Sequence, residues 1–302
     1  MPQTIITHDG KFHADDVFAV AALLILNKDA KVVRTRDSRV ILGGDIVVDV
    51  GGVYDEQKNR FDHHQIEGVG TRKNGLPVAA GVAHAGIPYA AFGLVWKKFG
   101  EKLCGDTSAQ SRVEEILVVP IDANDNGIDL SLPKFPGNFS YEISDVVRSF
   151  TPTWQEGESY LESNFNEAVS FARRIIEREI QRAKAFVAGE QKVQAVYNEA
   201  ADKRLIILDG DYSWKDVLSR FPEPLYVVHP QNGTWRLYSV RDNPHLFVNR
   251  RDLPQSWAGL RDAKLAKITG VPDSVFCHRN RFMAVAKSKN GAIALAKLAL
   301  DF

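Results

Sequence analysis

Thr4-Ile5-Ile6-Thr7-His8-Asp9-Gly10-Lys11-Phe12-His13-Ala14-Asp15-Asp16 runs from a short apolar strand, through a turn rich in histidine and aspartate, into a helix. The helix is expected over 15–26, with Val17, Phe18, Val20, Ala21, Leu24 and Ile25 as its apolar positions. Asp15 and Asp16 stand at its start, where negative charge opposes the exposed N–H dipoles. Strands rich in Val and Ile follow over 31–35 and 45–50, bounded by turn residues. Strand–helix–strand alternation predicts an α/β domain with a mostly parallel sheet covered by helices. Ligands of such sheets bind beyond the carboxyl ends of the strands, and both His8 and Asp49 fall there.

Outward from this core, 68–86 carries several glycines without sustained periodicity and reads as a long loop of the kind usually tied to function. Helices are expected over 87–99 and 108–119. A long helix follows over 160–187, with Phe165, Ala168, Phe171, Ala172, Ile175, Ile176, Ile180, Ala183 and Phe186 at helical spacing and Gly189 placed to end it. Its arginines alternate with glutamates, the pattern of a solvated face. Strands are then expected over 193–197, 205–208, 225–228, 234–240 and Ser274–Cys277, with helices near 214–220, Asp262–Thr269 and 291–300. The resulting division is a first α/β domain over 1–150, a connecting helix over 151–190 and a smaller α/β domain over 191–302.

At 302 residues two domains are the default. Lysine plus arginine and aspartate plus glutamate are 38 each, so any nucleic-acid contact must come from a local patch and not from a global field. Cys104 and Cys277 share no metal-type spacing and fit a reducing compartment. No apolar stretch approaches the ~20 residues needed to cross a bilayer, and no secretory or transit signal opens the chain. The expected address is the cytoplasm, with no membrane partner.

Polar residues gather wherever an apolar segment meets a loop: the opening turn, Asp49 in Ile46-Val47-Val48-Asp49-Val50-Gly51-Gly52, the triplet Asp62-His63-His64, and Pro120-Ile121-Asp122-Ala123-Asn124-Asp125. Each alone has an ordinary explanation as a cap, a turn residue or a satisfied loop histidine. Together, His8, His13, Asp15, Asp49, His63 and Asp122 mix imidazole and carboxylate in the way that Mn²⁺, Fe²⁺, Co²⁺ or Zn²⁺ favours. Six ligands exceed what one catalytic ion with an open position needs, but they suit two ions sharing a bridging carboxylate. The His-x-His-x-Asp-His pattern of the metallo-β-lactamase fold is not met, because residue 11 is Lys11 and residue 16 is Asp16.

Asp62-His63-His64 with the opening histidine–aspartate turn resembles the DHH phosphoesterase superfamily. His8-Asp9-Gly10-x-Phe12-His13-x-Asp15-Asp16, Asp49-Val50-Gly51-Gly52-x-Tyr54-Asp55, Phe61-Asp62-His63-His64 and Asp122-Ala123-x-Asp125-Asn126-Gly127 more closely resemble the Myg-type exonuclease family. Trp257-x-Gly259-Leu260-Arg261-Asp262 and Phe276-x-His278 extend the resemblance over nearly the whole chain. It implies an N-terminal DHH-type domain, a connecting helix and a C-terminal substrate-binding domain. It further implies that His8, His13 and Asp49 hold one ion and that Asp15, Asp49, His63 and Asp122 hold the other. Asp49 would be the bridge, and His64 would contact the scissile phosphate.

His13 stands where most DHH proteins have Asp, which bears on metal preference; two Mn²⁺ ions are expected, with Mg²⁺ or Co²⁺ as alternatives. The glycine-rich segment of related proteins is replaced here by Cys277-His278-Arg279-Asn280-Arg281. His278, Arg279 and Arg281 are therefore the expected substrate contacts. The leading expectation is a two-metal phosphodiesterase that trims RNA or short oligonucleotides from the 3′ end, with His64 and Asp49 as catalytic residues. The alternatives are a small-molecule phosphoesterase for pyrophosphate or a dinucleotide, and a non-catalytic binding protein.

Overall fold

The computed structural model describes residues 2–65, 68–72, 86–131, 135 and 137–302. Most of the 68–86 loop lies outside the described residues; at its ends, Thr71 and Pro88 form an antiparallel bridge. The chain divides into two compact units, Met1–Lys184 and Ala185–Phe302.

The first unit opens with β1 (Thr4–Thr7), α1 (Ala14–Leu26), β2 (Lys31–Arg34), α2 (Ser38–Leu42), β3 (Ile46–Val48), β4 (Tyr54–Asp55) and β5 (Arg60–Phe61). These strands form one sheet in the order β2-β1-β3-β5-β4. Every pair is parallel except β4–β5. Strand order reverses at β1, which is flanked by β2 on one side and β3 on the other, so the crevice past the ends of β1 and β3 is the topological switch point. Residues 14–23 of α1 are all buried, as expected of a helix apolar all round, which belongs inside a core and not on a surface. It packs against α3 (Ala91–Cys104) through Phe18 and Phe92.

α4 (Thr107–Val113) leads through a π-helical turn at Glu114–Val118 into α5 (Val119–Asp125), and α6 (Ile143–Arg148) follows. The expected helix over 108–119 therefore runs further, in three pieces, and Asp122 is helical. Pro120 follows directly on the π-helical turn, where the i→i−4 hydrogen-bond ladder is already interrupted, so its missing N–H is tolerated.

α7 (Leu161–Glu199) continues through Gly189 to Glu199, so the helix end expected at Gly189 and the strand expected over 193–197 are corrected. Val193 and Tyr197 are one helical turn apart and both are buried against Ile206 and Leu208. An i, i+4 apolar pair outweighs the propensity of one glycine.

The second unit continues with β6 (Leu205–Ile207), α8 (Lys215–Leu218), β7 (Tyr226–Gln231), β8 (Thr234–Ser239), α9 (Asp262–Thr269), β9 (Ser274–Cys277), β10 (Met283–Ala286) and α10 (Lys289–Leu300). Its sheet has the order β6-β7-β8-β10-β9, parallel at β6–β7 and antiparallel elsewhere. One face carries Tyr226, Val228, Leu237 and Ala284 against Leu265 and Leu295; the other carries Ile206 and Val227 against Val193, Tyr197, Trp214 and Val217. The chain is thus α/β, with a mostly parallel sheet in the first unit and a mixed sheet in the second. Among the described residues no helix is long and apolar enough to cross a membrane.

Candidate metal centre

Asp49 follows β3 with φ at 55°. An aspartate tolerates this left-handed conformation better than most residues, and Gly51 and Gly52 continue the turn at φ 95° and 68°. The turn points the Asp49 carboxylate into the crevice, buried, and neither oxygen finds a hydrogen-bond partner. Each oxygen faces a different set of side chains. Oδ2 lies 3.4 Å from His8 Nε2 and 3.8 Å from His13 Nδ1. Oδ1 lies 3.5 Å from His63 Nε2 and 3.5 Å from His64 Nδ1.

On the Oδ2 side, His8 follows β1 directly and His13 is the N-cap of α1. Asp16 completes the capping box: its Oδ1 accepts from His13 N at 2.9 Å. Its Oδ2 is left without a partner, 3.3 Å from His8 Nε2. On the Oδ1 side, His63 Nε2 lies 3.1 Å from Asp125 Oδ2 and 3.9 Å from Asp15 Oδ2. His13 Nδ1 also lies 3.4 Å from Asp125 Oδ1.

Two sets of donors within 4.8 Å of one another result: His8, His13, Asp16 and Asp49 in one, and Asp15, His63 and Asp125 in the other, with Asp49, His63 and His64 overlapping the second. Donor atoms ~2.1 Å from one ion stand ~3.0 Å apart at octahedral angles and ~3.4 Å apart at tetrahedral ones. The spacings here, from 3.1 Å for His63–Asp125 to 3.9 Å for His63–Asp15, suit such a site after small adjustment.

The electrostatics point the same way. Burial, then the like charge of Asp49, drives the Asp15 carboxyl well above its usual range. Burial also raises Asp16, against the pull of His13 and His8. Burial opposes charge on Asp49 too, yet the nearby His63 and His8 imidazoles outweigh it and hold this carboxyl well below the usual range. His63 is likewise disfavoured as a cation by burial, but Asp125 and Asp49 push it up to about 11. Acidic groups packed this closely out of water require positive charge. His8 Nε2, His63 Nε2, Asp16 Oδ2 and both Asp49 oxygens are buried and unpartnered. Buried polar atoms are normally satisfied, and convergence of five orphans on one point fits a cation-binding site.

Of the expected ligands, Asp122 is engaged elsewhere and Asp15 is shared with a helix cap, and two unforeseen carboxylates, Asp16 and Asp125, join the donor sets. Asp122 is fully buried, but Oδ1 accepts from Gly93 N at 3.0 Å and Oδ2 from Arg72 Nη2 at 2.7 Å. A side chain at Gly93 would meet Asp122 Oδ2 at 1.8 Å, so this approach requires glycine. Arg72 also donates to Glu114 at 3.0 Å. Burial pushes the Asp122 carboxyl up to about 7 against the pull of Arg72. Asp15 accepts from the first-turn amides of α3, Ala91 N at 2.8 Å and Phe92 N at 2.6 Å, because Ala90 offers no capping side chain. It borders the centre at 3.9 Å from His63 while acting as that cap.

Asp16 and Asp125 were open to recognition in the sequence. Asp125 is one helical turn past Asp122, a relation hidden by reading the segment as a loop, and Asp16 adjoins Asp15. Asp62 belongs to neither set of donors: it accepts from Gly52 N and His64 N. Its Oδ1 also lies 2.7 Å from His64 Nδ1. An ionised carboxylate only accepts, so the His64 proton sits on Nδ1 and the side chain, 61% exposed, presents Nε2 outward.

The family model described as "Uncharacterised protein family (UPF0160)", MYG1_exonuc, matches residues 4–300. The chain belongs to this MYG1 exonuclease family. It is 31% identical to the human MYG1 exonuclease over 331 residues, covering 99% of this chain and 86% of the human one. The MYG1 protein of Schizosaccharomyces pombe is 31% identical over 99% of this chain and 97% of its own length. The MYG1 protein of Caenorhabditis elegans is 32% identical over 100% and 96%.

The remaining expected site residues lie in the second unit. His278 Nδ1 accepts from Asn280 N at 3.1 Å, and its ring packs 4.4 Å from that of Phe282. Arg279 is exposed. Arg281, at φ 59°, is held by Asp252 at 2.7 Å, which competes with any phosphate for its guanidinium.

Proposed function

We propose that this MYG1-family chain is a metal-dependent phosphodiesterase of the DHH type, a 3′–5′ exonuclease acting on RNA or short oligonucleotides. The observation that carries this is Asp49: a buried carboxylate, unpartnered at both oxygens, between two sets of ligands. The exonuclease name of its relatives supports the same reaction class. Two bound divalent ions would supply an activated water and neutralise charge on the phosphate during in-line displacement.

His8, His13 and Asp16 hold one position, His63, Asp125 and Asp15 the other, and Asp49 spans both. Asp122 supports the second position from behind by anchoring Arg72 and α3. Asp62 fixes the His64 tautomer, leaving Nε2 to meet a phosphate oxygen, and protonated Nε2 would stabilise charge developing there. The histidine content of the centre favours Mn²⁺ or Co²⁺ over Mg²⁺.

Purified protein with Mn²⁺ is to be given RNA labelled at the 5′ or the 3′ end, and separately pyrophosphate. A ladder shortening from the 3′ end is the expected result. Turnover of pyrophosphate with intact RNA would establish the small-molecule reading instead, and inertness toward both would leave a binding protein.

A further inference from the structure

Within the second unit, rings of Trp214, Tyr238 and Phe282 stand in a row, with centroids 5.8 Å and then 6.2 Å apart. The Tyr238 and Phe282 planes differ by only 27°. These rings line a pocket of about 40 Å³ together with Lys215, Ser239 and Arg241. That is room for roughly three waters, so it suits the edge of one flat ring with the rest of a ligand outside. Ser239, at the end of β8, is 3% exposed, and its Oγ has no hydrogen-bond partner. A buried hydroxyl is unfavourable until something meets it, and Ser239 is one of the residues that line the pocket.

Cations border the opening. Lys215 Nζ lies 5.9 Å from the Trp214 ring centroid. Arg241 Cζ lies 5.9 Å from that of Phe282 and 4.8 Å from that of Phe247, which is 89% exposed. Among the described residues neither cation is in an ion pair. Aromatic faces beside unpaired cations are the chemistry of single-stranded nucleic-acid binding, in which bases stack and phosphates are neutralised.

We propose that this pocket receives one base of a single-stranded oligonucleotide, stacked on Tyr238 and Phe282, with Ser239 Oγ meeting its polar edge and Lys215 and Arg241 its flanking phosphates. The assignment rests on the nuclease reading above. It also gives the His278 segment a role, since His278 packs on Phe282.

The test is equilibrium binding of a labelled short single-stranded RNA to the full chain, with EDTA present to stop turnover. A strand of equal length built from abasic sugars is the control. Phe282→Ala is expected to weaken RNA binding roughly 5- to 100-fold, and wild type should bind the abasic strand about as weakly. Ser239→Ala and Arg241→Ala, each checked by melting temperature, are expected to weaken RNA binding at least fivefold, and they keep the test open if Phe282→Ala fails to fold. RNA binding equal to wild type in all correctly folded variants, or an abasic strand bound as tightly as RNA, overturns the pocket assignment while leaving the nuclease reading intact. A wild-type chain that neither binds nor cleaves single-stranded nucleic acid overturns both.

Discussion

Two buried histidines, one in each unit, are driven in opposite directions. His63 lies among Asp125, Asp49 and Asp15, and their carboxylates overcome burial to push it up to about 11. His229 of β7 is as deeply enclosed, beside Trp214 and Tyr238. There burial prevails and lowers its pKa from 6.5, despite a hydrogen bond to Pro230 and the charge of Asp211. Burial alone favours a neutral imidazole; surrounding carboxylates call for positive charge at that point, which a bound cation would supply in place of a proton. The first unit is thus built around charge that the chain does not balance by itself, whereas the second packs its histidine as an aromatic ring.

The largest expected effect tests the unbalanced side. Loss of groups that merely orient ligands costs 10–100-fold in metal affinity or activity, so loss of the shared ligand should cost more. Asp49→Ala is expected to fall below ~1% of wild-type turnover, with metal loss measured by mass spectrometry. His64→Ala should retain its metal and lose ~10–100-fold in turnover. Full metal occupancy in Asp49→Ala would remove the bridging assignment.

A second comparison separates the two aspartates of α5. Asp125→Ala should lower metal content with little change in melting temperature in EDTA. Asp122→Ala leaves Arg72 buried with Glu114 as its remaining carboxylate, and should destabilise the first unit by ~3 kcal/mol while metal still binds. Denaturant titration beside metal analysis would show it, and reversed phenotypes would return Asp122 to the ligand set.

At Gly93, the added methyl of Gly93→Ala must displace the Asp122 carboxylate. A cost of ~1–3 kcal/mol is expected from overpacking, read as a lower denaturation midpoint; an unchanged midpoint would show that α3 can yield.

The smallest effect belongs to His229. Its folded pKa lies below the unfolded value of 6.5. As pH falls through 6.5, the unfolded chain gains a proton that the folded chain refuses. Stability should therefore fall by up to ~1.4 kcal/mol per pH unit, down to the folded pKa. The difference between wild type and His229→Phe between pH 5 and pH 8, measured by denaturant melts, isolates it. A pH-independent difference would mean that His229 titrates alike in the folded and unfolded chains, and a difference of opposite sign that it holds its proton more tightly when folded.

The sequence made the strand ends legible because apolar runs stopping at His8 and Asp49 have few other readings, and α1 was legible from its periodicity. Asp16 and Asp125 were harder to see. Which of two adjacent carboxylates enters a crevice depends on helix phase, and Pro120 with the Asn124-Asp125-Asn126-Gly127 run carries loop signals that conceal the phase of α5. Arg72 lies fifty residues from Asp122, and no local pattern announces such a partner. The end of α7 is obscured for the opposite reason: Gly189 is a strong local stop signal, and the apolar pair Val193 and Tyr197 that overrides it acts only through packing on the second sheet.

The Asp15 cap on α3 has a consequence for synthesis. One carboxylate closes a separation of 76 residues, so α3 emerges with its first amides uncapped until α1 is docked beside it. At ~5–20 residues per second, α1 waits ~4–15 s for the amides of Ala91 and Phe92 to appear. Until then the apolar residues of α1 that α3 covers in the finished fold are exposed, and the half-made chain is expected to be a substrate for chaperones. Stalled nascent chains ending before Ala91 should be protease-sensitive throughout, and those carrying α5 clear of the ribosome should gain a protected N-terminal fragment.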